Sequence, residues 1–407
     1  MRYDKDTRMK PIYPLRSVYA VNLAGLVLWG LAQTAAQSAP GDDVFIPTNP
    51  PAMQPIAAGA HGSFTPAQQA ARQFLRGVNL GDYLEASRHN RSIAVSATEF
   101  SRMKQEGFDH LRVPVGWHQY AGPGPEYQLE PEIFALVDFV VTNALQNHLA
   151  VMINLHHFNA LDHDPGGATA EFLALWRQVA AHYQAFPPAL AFELDNEPHE
   201  NATTERMNPI YAQAIAEIRR TNPHRTLFVE PGGWGSWGDL KKLVLPPDDN
   251  VIVSVHCYDP FMFTHQGASW THGAPVTGVR FPGPPDQPLL PPAGLALEHY
   301  QLDWINQYNT LPAAQNPSSP LAFTCKLQYL RAWSDYYGRP VHLGEFGAYT
   351  KADEASRARF YAAMRAAAES RNIGWCLWDW SAGFRYWDKA HDQPMAGMHA
   401  ALFGPRP

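Results

Sequence analysis

The chain has 407 residues, 45% of them hydrophobic and 17% charged, with a formal net charge of −7. That balance fills a sizeable core and excludes a disordered chain, and the length allows one large domain or two ordinary ones. No basic stripe is available to neutralise phosphates, so nucleic acid is not an expected partner.

Residues 1–36 read as a secretion signal. Arg2, Lys5, Arg8, Lys10 and Arg16 form a basic region, Val18 to Leu31 an apolar stretch, and Thr34-Ala35-Ala36 a closing run of small residues. The apolar stretch is too short and too interrupted to span a membrane. No stable membrane insertion is therefore expected, and the mature protein is expected to be secreted or periplasmic; an uncleaved anchor is the alternative. Removing this segment takes away five basic and two acidic residues and leaves the remainder more acidic. Residues 37–70 are rich in Pro, Ala, Gly and Ser, lack periodicity, and read as a leader or linker.

From about residue 71 to the end, 407, short apolar runs alternate with helical patterns, the signature of βα units. Eight strands are expected: Phe74–Leu80, His110–Val115, Ala150–Leu155, Ala189–Leu194, Thr226–Glu230, Val251–His256, Val341–Glu345 and Gly374–Trp378. Helices are expected over Ala97–Gln105, Glu132–Asn147, Ala168–Phe186, Thr204–Arg220, Ala322–Tyr337 and Ala352–Arg371. In the second of these, Ile133, Leu136, Val137, Val140, Val141 and Leu145 form a stripe at helical spacing. The first five strand starts lie 36, 40, 39 and 37 residues apart, close to one βα unit each. Eight such units point to an α/β fold, a single (β/α)₈ TIM barrel. A doubly wound sheet is the alternative, but it brings a Gly-rich phosphate turn that is missing here. About 80 residues separate Tyr258 from Val341, and Phe281 to Pro292 is Pro-rich. Such a long loop insertion between strands 6 and 7 is expected to overhang the barrel mouth, with an inert surface insertion as the plainer alternative.

Several strand candidates end in groups that carry chemistry. Active sites of parallel barrels lie at the carboxyl ends of the strands. The fourth run leads into Asp195-Asn196-Glu197-Pro198, and the seventh ends at Glu345. A lone strand-end Glu is more often a salt-bridge partner, but two of them in a barrel suit glycoside hydrolysis, which needs one carboxyl to give a proton and one carboxylate to attack. Arg112 puts a fixed cation into an apolar strand and needs an anion, for which Glu345 is the natural candidate; that contact would keep Glu345 ionised. His156 and His157 follow the third strand, and His256 and Tyr258 the sixth. They show no ligand pair on one element, so no metal is expected. Trp378 could stack on a sugar face; any one of the 12 tryptophans is equally well explained by core packing. The three cysteines, Cys257, Cys325 and Cys376, show no metal spacing, and Cys257 and Cys376 read as buried free thiols. The Asn201-Ala202-Thr203 sequon is taken as chance.

Seven segments together resemble glycoside hydrolase family 5, the cellulase family of the retaining (β/α)₈ clan. They are Arg76-Gly77-Val78-Asn79-Leu80-Gly81, Leu111-Arg112-Val113-Pro114, Ile153-Asn154-Leu155-His156-His157, Asp195-Asn196-Glu197-Pro198, Val255-His256-Cys257-Tyr258, Gly344-Glu345-Phe346-Gly347 and Leu377-Trp378-Asp379-Trp380. They run in the family's order over residues 71 to 400. The resemblance implies Glu197 as acid/base, Glu345 as nucleophile, and Asn196 on the 2-hydroxyl of the sugar in the −1 subsite. It implies Arg112 and Tyr258 as holding Glu345, His156 and His256 as lining that subsite, and Trp378 as its platform. His156 fits the family position better than His157, and Trp380 competes with Trp378. The expected protein is a secreted retaining endo-β-1,4-glucanase that needs no cofactor, acts on β-glucan and is a monomer. A β-mannanase, a β-1,3-glucanase or a non-catalytic carbohydrate-binding barrel are the alternatives.

Overall fold

The computed structural model describes residues 53–56, 64–86, 88 and 93–404; the expected signal segment and most of the expected leader lie outside them. Eight parallel strands close into a barrel in sequence order. They are β1 (Arg76–Asn79), β2 (His110–Val113), β3 (Ala150–Asn154), β4 (Leu190–Glu193), β5 (Leu227–Val229), β6 (Val251–His256), β7 (Val341–Phe346) and β8 (Gly374–Leu377). β8 pairs back to β1 with Arg76 opposite Trp375, so the doubly wound alternative is excluded and the (β/α)₈ barrel stands. Strand ends are mostly shorter than their apolar runs: β5, for example, stops before Glu230.

Alternation along each strand builds two separate cores. Outward positions such as Val78, Leu111, Val113, Val151, Ile153, Phe192, Val253 and Leu343 pack with the surrounding helices into the main core. Inward positions Met152, Ala191, Phe228 and Ile252 join Phe74 and Ala67 in a small apolar floor inside the barrel. One step higher, the inward positions are polar and buried: Asn79, Arg112, Asn154, Glu193 and His256. Strict alternation would turn Glu345 outward, because His342 and Gly344 face in. The β6–β7 register shifts between Val255 and His256, and His256 pairs with Glu345. This extra residue in β7 is a bulge that re-aims Glu345 into the mouth.

The expected helices form with small shifts at their ends. Pro131–Gln146 buries Ile133, Val137, Val140, Val141 and Ala144. Pro165–His182 starts earlier than expected because the Asp164 side chain caps it and Pro165 fits its first turn. The helix Leu321–Tyr337 stops at Gly338, whose φ of 64° is costly for other residues. Helices that escaped the sequence reading include Asn159–His163 and His299–Thr310. The second buries only Gln301, Ile305 and Tyr308, too weak a stripe to register.

The long insertion divides in two. Up to Val279 it flanks the mouth: Thr264 accepts a 2.7 Å hydrogen bond from the Tyr349 amide, and Trp270 packs on Tyr349 and Phe384. The Pro-rich part does not overhang. Phe281 lies against Phe323 and Phe360 on the outer helices, and the Ser318 hydroxyl bonds Arg280 O. All three cysteines are free, with Cys257 and Cys376 buried. Among the described residues no helix is long and apolar enough to cross a membrane.

A β-carbon on Gly374 would sit 1.9 Å from the Phe74 carbonyl oxygen, a backbone atom that cannot rotate away. Gly374→Ala is expected to cost about 2–3 kcal/mol of stability, read as a lower urea midpoint with an unchanged slope.

Candidate active site

Arg112 stands at the centre of the polar layer. Its guanidinium is fully buried. Nε donates to Glu193 at 2.6 Å, one terminal nitrogen donates to Asn79 at 2.9 Å and Glu345 at 2.6 Å, and the other to Asn196 at 2.7 Å. Glu230 lies at 3.4 Å from that second nitrogen. Burial opposes the charge, but Glu193, Glu345 and Glu230 outweigh it and keep the guanidinium ionised. The Arg112–Glu345 contact expected from the sequence is present. Asn79 is held in turn by Gly344 O and Leu377 O, which ties β1 to β7 and β8.

Glu345 and Glu197 face one another across the mouth. The second oxygen of Glu345 accepts the Tyr258 hydroxyl at 2.6 Å. Glu197 Oε1 lies 2.6 Å from His256 Nδ1. Carboxylate oxygens of Glu197 and Glu345 and a nitrogen of His256 all fall within 4.8 Å of one another. Glu197 itself adopts φ of 53°, a left-handed backbone unusual for a residue with a side chain. The turn after β4 is thereby bent so that the carboxyl points back over the barrel.

Proton affinities here are set by burial working against charge. Burial raises Glu197, but the hydrogen bond and charge of His256 pull it below its ordinary value. His256 is pushed down by burial and then lifted well above its ordinary value by Glu230, Glu345 and Glu197. The proton between His256 and Glu197 therefore rests on the imidazole in the unliganded site. Burial moves Glu345 upward against the pull of His256 and Arg112. The sequence argument considered only the arginine and so missed the burial.

The remaining expected residues separate cleanly. His156 is buried, neutral through burial and the nearby His157, and parallel to Trp378 at 6.0 Å between ring centroids. His157 is exposed beside it. Trp378 is half-buried at the mouth, whereas Trp380 is fully buried, stacked on Trp387 and bonded to Glu99, which removes it as a platform. Asn196 gives its oxygen to Arg112, and its amide nitrogen is buried without a partner among the described residues.

Sequence reasoning missed Asn79, Asn154, Glu193 and Glu230. Asn154 bridges Glu193 and His156 at 3.1 Å each. Asn79, Asn154 and Glu193 each lie one residue before the end of an expected strand, and Glu230 closes a strand candidate just as Glu345 does. Metal-ligand atoms do converge, from separate strands, at Glu193–Glu230–His256 and Glu197–His256–Glu345. His256 is common to both sets, and each of its nitrogens already faces a carboxylate, so a cation would have to displace these contacts.

A closed parallel barrel with two facing carboxylates, an aromatic wall and a buried arginine at its carboxyl end defines a glycoside-cleaving type of site. The family model for cellulase (glycosyl hydrolase family 5) matches residues 75–383, and the chain belongs to that family. It is 27% identical over 315 residues to endoglucanase H of Acetivibrio thermocellus, covering 76% of this chain and 30% of that protein, so it spans less than a third of that relative's length. A hyperthermophilic endo-β-1,4-glucanase in complex with substrate superposes with a TM-score of 0.73 at 29% identity, over 84% of this chain and 100% of the other. Thermotoga maritima Cel5A in complex with cellobiose superposes with a TM-score of 0.71 at 31% identity, over 82% of this chain and 99% of the other. Its complex with mannotriose gives the same TM-score, identity and coverage.

Replacing Arg112 by Met would leave Glu193, Glu230 and Glu345 facing each other without a cation. The variant is expected to lose about 3–5 kcal/mol of stability at pH 7, and less near pH 4, where the carboxyls can take up protons. Urea unfolding at both pH values measures the difference.

Proposed function

We propose that the protein is a secreted, retaining endo-β-1,4-glucanase. The observation that carries this reading is the pair Glu197–Glu345, with oxygens within 4.8 Å and with different partners on each carboxyl. That separation suits direct attack by one carboxylate and leaves no room for the water an inverting enzyme holds between the two. Glu345 is the nucleophile: it attacks the anomeric carbon as the bond to the leaving oxygen breaks. Glu197 gives that oxygen a proton, drawn from the 2.6 Å contact with His256. In the second step Glu197 takes a proton from water, whose oxygen displaces Glu345. Arg112 and Tyr258 orient the nucleophile, and their bonds weaken its charge as the covalent sugar forms.

The unpartnered amide nitrogen of Asn196 fits a donor to the sugar 2-hydroxyl, and Trp378 with His156 fits a wall against the ring face. β-1,4-Glucan is the favoured substrate because the relatives named above are endoglucanases. β-Mannan is the second reading, favoured by the mannotriose bound to Thermotoga maritima Cel5A. Residues 1–36 support export to the periplasm or the exterior.

Glu345→Gln is expected to abolish hydrolysis of carboxymethyl cellulose while the thermal transition stays within a few degrees of wild type. Hydrolysis near the wild-type rate would reject Glu345 as nucleophile. Proton NMR of the first product should show the β-anomer; an initial α-anomer would reject retention. A panel of carboxymethyl cellulose, mannan, xyloglucan and laminarin is expected to give the highest kcat/KM on the first, and a higher value on mannan would reassign the substrate.

A further inference from the structure

Glu230 is not among the residues that face the sugar in the reading above, yet it touches three that matter to it. It follows β5 inside the barrel and is fully buried. Oε2 accepts the backbone amide of Glu197 at 2.9 Å. Oε1 lies 2.9 Å from His256 Nε2, off the line of a straight hydrogen bond, and 3.4 Å from Arg112. Space for the carboxylate comes from Gly235, where a β-carbon would come within 2.8 Å of Oε2. The Glu230 carbonyl is fixed from behind by the Tyr211 hydroxyl at 3.0 Å.

We propose that Glu230 is a positioning residue that acts on Glu197 by two routes at once, pinning its amide and presenting a carboxylate to the far nitrogen of His256. This rests on the assignment of Glu197 as acid/base. The first route concerns geometry. Glu197 has φ of 53°, a conformation that is strained for a residue with a β-carbon and persists only when the surroundings hold it. The amide bond to Glu230 is such a hold, and it lies on the same residue as the carboxyl being aimed. The second route concerns charge. His256 has Glu197 on one nitrogen and Glu230 on the other, so a carboxyl at position 230 favours the imidazolium that hydrogen-bonds Glu197.

The groups facing Glu230 are Arg112 from β2, Glu193 from β4, Asp195 and Glu197 from the turn after it, Tyr211 from the helix Thr204–Arg219, and His256 from β6. Burial pushes Glu230 up to about 8 against the pull of His256 and Arg112. Without the Glu230 carboxyl His256 loses its proton at lower pH. The His256–Glu197 pair then holds its shared proton less tightly, which moves the alkaline limb of kcat/KM downward.

The test uses Glu230→Gln, which keeps an oxygen for the Glu197 amide but removes the charge, and Glu230→Ala, which removes both. In Glu230→Gln the imidazole of His256, followed by ¹⁵N NMR, is expected to titrate roughly one unit or more lower than in wild type, and the alkaline limb to fall by a similar amount. In Glu230→Ala kcat/KM on soluble glucan is expected to fall roughly tenfold or more through kcat, with KM little changed. On 2,4-dinitrophenyl β-cellobioside, whose leaving group needs no proton, kcat/KM, which reports the first step alone, is expected to stay within about twofold. Equal loss on both substrates, or an unchanged His256 titration in a folded Glu230→Gln, overturns the proposal. If Glu230→Ala fails to fold, Glu230→Gln carries the decision. If wild type cleaves neither substrate, the proposed function fails, and the His256 titration still decides whether Glu230 controls its proton.

Discussion

A guanidinium without water has to be neutralised by what the chain brings to it, and Arg112 draws groups from four other strands or strand ends. Glu193, Glu230 and Glu345 supply charge, while Asn79 and Asn196 supply oxygens. Taking such an ion out of water costs several kcal/mol, which is recovered only if its donors are satisfied in good geometry. The arrangement is therefore rigid by necessity. Each partner's own position is fixed by the barrel's register, so the site inherits its precision from the sheet rather than from loops.

The layer is also short of cations. Arg112 and His256 face Glu193, Glu197, Glu230 and Glu345, two bases against four carboxyls in a nearly dry space. Full ionisation of all four is unfavourable, and the burden is distributed unevenly: Glu230 is pushed to about 8 and Glu345 upward, while Glu197, next to His256, goes down. Groups with ordinary affinities are thus pulled apart by position alone, the condition under which one carboxyl can give a proton while another attacks.

Much of this was legible in the chain. The βα spacing and apolar runs identify the barrel, because a parallel strand buried on both faces must be apolar on both. Strand-end polar residues identify Arg112, Glu197, His256, Tyr258 and Glu345, because nothing in a barrel's packing asks for them. The sequence could not reveal the bulge in β7, which depends on hydrogen-bond register with β6. It also could not separate Trp378 from Trp380: two residues apart in one run, they differ only in where the chain turns after β8. The Pro-rich part of the long insertion was misplaced for a similar reason. Phe281 anchors it on Phe323 and Phe360, and such a long-range apolar contact leaves no local pattern.

Proton direction is the point on which sequence and structure differ most, and the difference is instructive. A pairwise argument takes Arg112 as the reason Glu345 is ionised and leaves Glu197 to hold a proton. In the folded site His256 intervenes between the two, 2.6 Å from Glu197 Oε1 and 3.7 Å from Glu345 Oε2. Its proton can serve either carboxyl, and the closer contact favours Glu197. A sugar seated over this contact would lower the local dielectric, which makes the charge-separated pair of imidazolium and carboxylate less favourable relative to the neutral pair. With Glu197 as the acid proposed above, substrate binding would thus move the proton from His256 to Glu197 only when there is an oxygen to receive it.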